Sequence, residues 1–154
     1  MKKVLLLGIV IMVSNFASAF EPNSLLGTWK CQSYEIGEGE EAFVLDQYVH
    51  YYSEGVYEHQ ALWAMKHVPE FWFKITSKGT WYLEGKKIIT EVQSSDINET
   101  SNPKFFTEKS LFYFKESFAL PKGETIVDLI NVSNEKLDIR HLNSETIESC
   151  KKQG

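Results

Sequence analysis

Between Phe71 and Glu84 lies the most readable strand of the chain. Phe71, Phe73, Ile75, Trp81 and Leu83 share one parity, while Lys74, Thr76, Lys78, Thr80 and Glu84 share the other. Successive side chains of a strand point to opposite faces, so this segment is a strand with one apolar and one wet face. Odd residues face a core, and a slip of one residue would exchange every member of the two sets. Gly79 lies on the inward parity and marks a bend or bulge in so long a strand.

Around this anchor the remaining chain reads as more strands, at 27–36, 43–52, 56–66, 87–94, 125–132, 136–142 and 145–151. Short turns such as Ser53-Glu54-Gly55, Glu84-Gly85-Lys86 and Ser133-Asn134-Glu135 join several of them. Residues 95–124 differ. Asn102-Pro103 suits a helix start, and Phe105, Leu111, Phe112, Phe114 and Phe118 gather roughly on one helical face before Pro121. A helix is expected over 103–119, although the same residues have strong β-propensity and Phe112 and Phe114 also fit alternation. The expected fold class is therefore all-β. It is an eight-stranded antiparallel up-and-down barrel with a helix or irregular insertion between strands five and six.

The N-terminus has a separate reading. Lys2-Lys3, the apolar run Val4 to Val13 and Ala17-Ser18-Ala19 form the three regions of a secretory signal peptide. Residues 1–19 are assigned to it and residues 20–154 to one barrel domain. The apolar run is short of the roughly 20 residues that a membrane span needs, so no transmembrane segment is expected in the mature chain. Localisation is expected to be periplasmic or secreted.

Export brings the two cysteines into a compartment where disulfides persist. Strand bookkeeping places Cys31 early in the first strand and Cys150 late in the eighth. In an up-and-down barrel these two strands pair to close the ring, so both cysteines fall near the Trp29 end and are expected to be bonded. Two cysteines without Cys-x-x-Cys spacing suit neither a redox motif nor a zinc site.

The same bookkeeping separates the rims. Short turns after strands two, four and six lie at the Trp29 end, while the connections 37–42, 67–70 and 95–124 lie at the other, which makes that end the expected mouth and the helix a lid.

In this order the residues resemble the lipocalin-like (calycin) group of small exported bacterial barrels. The resemblance is carried by Leu26-Gly27-Thr28-Trp29, Ser53-Glu54-Gly55-Val56-Tyr57, the run Ser77 to Lys86, and Lys136-Leu137-Asp138-Ile139-Arg140. It implies a barrel closed at the Trp29 end and, often, an apolar ligand inside. Such barrels often set an arginine from the last strand on the first-strand Trp. Here the last strand offers Lys151 and Lys152, while the sole arginine, Arg140, lies one strand earlier.

Inward parity on the third strand gives Tyr57, His59, Ala61, Trp63 and Met65, facing Phe71, Phe73 and Ile75. Tyr57, His59, Trp63, Phe71 and Phe73 form the candidate wall for a small hydrophobic or aromatic ligand, unless the rings simply fill the core. His59 is the discriminating residue, because a buried imidazole needs a partner. His50, His59, His67 and His141 show no chelating spacing, so neither a metal nor another cofactor is expected. No nucleophile elbow, zinc-protease helix or phosphate loop is found, and no enzyme is expected.

The net charge of −5 becomes about −7 when Lys2 and Lys3 leave with the signal segment, which argues against a nucleic-acid partner. The alternative function is a protein-interaction or inhibitor module that presents rim loops, above all the acidic 37–42 loop, to a partner.

Overall fold

In the computed structural model, residues 20–154 are described, and the signal-peptide reading lies outside them. The strands are β1 (Gly27–Cys31), β2 (Tyr34–Ile36), β3 (Phe43–Tyr51), β4 (Val56–Met65), β5 (Val68–Glu84), β6 (Lys87–Thr100), β7 (Gly123–Val132), β8 (Lys136–His141) and β9 (Glu148–Lys152). All pair antiparallel in the order β1-β9-β8-β7-β6-β5-β4-β3-β2, and β1 also pairs with β3. That last pairing closes a ring of eight strands and leaves β2 outside it, attached to β3 alone. The expected first strand is thus broken in two at Gln32-Ser33, and the helix falls between β6 and β7, the fifth and sixth strands of the ring.

The parity read on β5 holds. Phe73, Ile75 and Trp81 are buried, whereas Lys74 pairs with Glu99 and Thr76 with Asn98 on the outer face. Gly79 sits where the β5–β6 register shifts. A Cβ there would lie 1.8 Å from the Glu91 carbonyl oxygen, so the strands can meet this closely only at glycine. β5 and β6 also run further than expected, β6 continuing to Thr100.

The expected helix splits. Asn102 caps only a short 3-10 turn, Pro103–Phe105, and the chain is extended at Phe106, whose ring is buried in the barrel. The α-helix proper runs from Glu108 to Phe118; preceded by the short turn α1 (Pro22–Leu25), it is α2. Thr107 Oγ1 accepts from the Ser110 N–H, and Ser110 Oγ accepts from the Thr107 N–H, a reciprocal cap that fixes the start. Leu111, Phe114 and Phe118 face the barrel at helical spacing, while Phe112 points away, against the expected grouping.

Two apolar clusters fill the barrel. The lower gathers Leu25, Trp29, Tyr51, Trp81, Ile88 and Leu137, among others, with Trp29 fully buried and its Nε1 donating to the Leu25 carbonyl at 2.7 Å. The upper joins Leu45, Trp63, Phe73, Ile75 and Phe106 to Phe43, Phe71, Phe114 and Phe118. The Trp63–Phe118 and Phe73–Phe114 centroids lie 4.6 and 5.0 Å apart. Each such pair contributes about 0.5–1.5 kcal/mol beyond area burial, so α2 is a packed stopper on this end.

Candidate functional site

Against the lower cluster lies a cavity of about 100 Å³ whose wall combines Tyr51, Tyr57, Val127 and Ile139 with His59, Gln47 and Glu148. Alternation puts them there: Tyr57 and His59 share the inward face of β4, Gln47 that of β3, and Glu148 lies two residues before Cys150 on β9. The Cys31–Cys150 disulfide, directly paired across β1 and β9, forms part of the same wall.

The polar side chains form one hydrogen-bonded chain across four strands. His141 Nε2 lies 3.0 Å from Glu148 Oε2, Gln47 Nε2 donates to Glu148 Oε1 at 3.1 Å, and His59 Nε2 lies 3.0 Å from Gln47 Oε1. A carboxylate only accepts, so the Gln47 amide must turn its NH₂ toward Glu148 and its oxygen toward His59. His59 therefore donates from Nε2, and its Nδ1 is left as a bare acceptor. That atom is buried and has no partner in the protein.

Burial pushes the His59 imidazole down to about 4, which keeps the ring neutral at ordinary pH. His141, half-exposed at the outer end of the chain, is raised by its hydrogen bond to Glu148. Burial and then the Glu148 carboxylate hold the Tyr57 hydroxyl well above the ordinary phenol range.

The sequence-predicted wall residues divide between two places. Tyr57 and His59 line the cavity, whereas Trp63, Phe71 and Phe73 belong to the ring cluster beneath α2. Trp63 Nε1 is buried there without an acceptor. Gln47 and Glu148 are missing from the sequence-predicted set, although parity carries a signal for both. Gln47 is the polar residue in the inward series Phe43, Leu45, Val49, Tyr51, and Glu148 shares the face of Cys150. Among the described residues, Cys31, Glu148 and Cys150 bring metal-ligating atoms within 4.8 Å of one another, and both sulfurs are committed to the disulfide.

The wall is interrupted on one side. β9 pairs with β1 only over Trp29–Cys31, and above that level β2 has no strand on its free edge. An open cleft of about 470 Å³ lies here, lined by Tyr34, Leu45, Ser144 and Thr146. Gln47, His141 and Glu148 line this cleft as well as the cavity, so they stand between the two. The ring-filled end beneath α2, by contrast, shows packed side chains where the rim asymmetry suggested a mouth.

A closed ring of eight antiparallel strands in up-and-down order, sealed at one end around a buried first-strand Trp, defines a lipocalin-like barrel. Among solved structures the chain is similar to a lipocalin-like protein from Bacteroides uniformis ATCC 8492. The identity is 17%, the TM-score 0.45, and the match covers 85% of this chain and 99% of that one. No protein-family model and no curated protein matches the chain.

Proposed function

We propose that this barrel is an exported binding protein, not an enzyme, that takes a small, largely apolar ligand into its interior. The observation that carries the reading is an interior cavity walled by Tyr51, Tyr57, Val127 and Ile139, with buried His59 and Glu148 as polar groups. His59 Nδ1 has no partner in the protein, a cost of about 1–3 kcal/mol that a guest recovers once the wall shifts to expose that atom. Trp63 Nε1 repeats the pattern beneath α2, where an acceptor on the ligand would satisfy it once the helix shifts. Tyr57, His59, Trp63, Phe71 and Phe73 are the proposed contacts. The disulfide supports export, since such bonds persist in oxidising compartments. Among the described residues, no helix is long and apolar enough to cross a membrane.

The test is titration with a neutral environment-sensitive fluorophore. Trp63→Glu is expected to weaken binding at least tenfold, and Lys74→Glu on the outer face to leave it unchanged. No binding by the intact protein would reject the reading. It would favour a protein-contact module, for which the exposed Phe112 and Tyr113 on the outer side of α2 offer a surface.

A further inference from the structure

Three lysines stand in one row across the outside of the barrel. Lys30 on β1 is the register partner of Lys151 on β9, and Lys151 is in turn the partner of Lys136 on β8. Their chain neighbours Trp29, Cys31, Leu137 and Cys150 are buried, so alternation turns all three lysines outward. Like charges directly opposite each other in a sheet are destabilising. Elsewhere the ladders set lysine against acid: Lys74 faces Glu99, Lys78 faces Glu58 and Lys87 faces Glu84.

The row lies in an open groove of about 890 Å³ whose lining holds four lysines, the fourth being Lys152, and a single carboxylate, Glu135. Positive charge is thus gathered on one face of a chain whose net charge is −5. Lys30 Nζ leans over the Tyr48 ring on β3, 5.4 Å from its centroid, and Lys136 Nζ reaches Asp138 Oδ2 at 2.9 Å. Lys151 is left between them. Among the described residues, neither Lys30 nor Lys151 makes an ion pair.

We propose that this groove binds a ligand that presents two or more closely spaced phosphate groups. Such a ligand sits outside the barrel, so the site is independent of any guest in the interior. Strands lie about 4.8 Å apart, so the row offers a cation roughly every 5 Å, a pitch that suits neighbouring phosphates better than a single one. Ammonium groups act on phosphate as compact point charges, whereas a planar carboxylate is matched best by the guanidinium fork. The groove lining contains no arginine, and the sole Arg140 is held by Asp128 at 3.0 Å. Asp138 already offsets Lys136, which makes Lys30 and Lys151 the principal contacts.

The experiment is calorimetric titration of the disulfide-intact protein with pyrophosphate and with orthophosphate, at neutral pH and low salt. Pyrophosphate is expected to bind about tenfold more tightly than orthophosphate, and to weaken as salt rises. The Lys30→Gln/Lys151→Gln double variant should lose about tenfold in pyrophosphate affinity, while Lys74→Gln on another part of the outer face should keep it. Vesicles of phosphatidylglycerol and of phosphatidylcholine then identify the source of the phosphate. Retention on the first alone, reversed by pyrophosphate and lost in the double variant, assigns it to lipid headgroups; pyrophosphate binding without retention assigns it to a soluble ligand. No pyrophosphate binding, equal affinity for orthophosphate, or binding that the double variant keeps overturns the site. Should the double variant fail to fold, the ratio of the two affinities in the unaltered protein decides.

Discussion

Lys152 Nζ lies over the Trp29 ring, 5.0 Å from its centroid, in the place where the sequence resemblance leads one to expect an arginine. Gly27 allows the approach: its φ is +116°, and a Cβ there would come within 2.9 Å of Lys152 Cε. Lys152→Ala is expected to lower unfolding stability by about 1–2 kcal/mol, with Lys152→Arg close to wild type, as measured by urea denaturation. A change as large for the arginine variant as for alanine would show that the cation over the ring contributes nothing.

The disulfide fastens the strand pair that closes the ring. Cys31 and Cys150 are separated by 119 positions, and loss of a bond enclosing so long a loop costs about 2–5 kcal/mol. The Cys31→Ser/Cys150→Ser double variant should unfold at correspondingly lower urea. Thiol titration of the denatured, unreduced protein should find no free thiol, and two per chain would refute the bond.

Acid stability should depend on His59 and His141 in opposite senses. His59 has its value lowered from 6.5 to about 4, so its contribution is complete above 6.5 and is lost as pH falls through that window, by about 3 kcal/mol in total. His141 is raised by Glu148, so its contribution is complete below 6.5 and is lost as pH climbs through its folded value. Stability measured from pH 7 to 4 should therefore fall less in His59→Leu than in wild type, and more in His141→Gln. Parallel curves for all three proteins would contradict the assignment.

Two phenylalanines six residues apart on α2 should behave differently. Phe118 packs on Phe43, Trp63 and Phe73, and Phe118→Ala is expected to cost roughly 2–4 kcal/mol. Phe112, 67% exposed, should change stability by no more than about 0.5 kcal/mol when replaced by alanine. Chemical denaturation of the two variants side by side checks the orientation of the helix.

What the sequence determined by itself is what depends on short-range periodicity and on order along the chain. The alternation from Phe71 to Leu83 specified which side chains enter the core, because the pleat has a period of two whatever surrounds it. Strand order placed Cys31 opposite Cys150. The aromatic segment before Pro121 revealed a helix, though not its true start, since the burial of Phe106 delays it to Glu108.

Only the tertiary structure decided how the interior is divided. Gln47 and Glu148 stand 101 positions apart, and they meet because closure of the ring brings β3 and β9 to either side of β1. The same closure joins His59 to His141 through them, although β4 and β8 are not neighbours. The break at Gln32-Ser33 opens the cleft at the free edge of β2, and the fit of Phe114 and Phe118 fills the end that the rim lengths marked as a mouth. Local pattern determines the face a side chain takes. Which side chains share that face's enclosed space is fixed by how the strands close, a long-range property that no window of sequence contains.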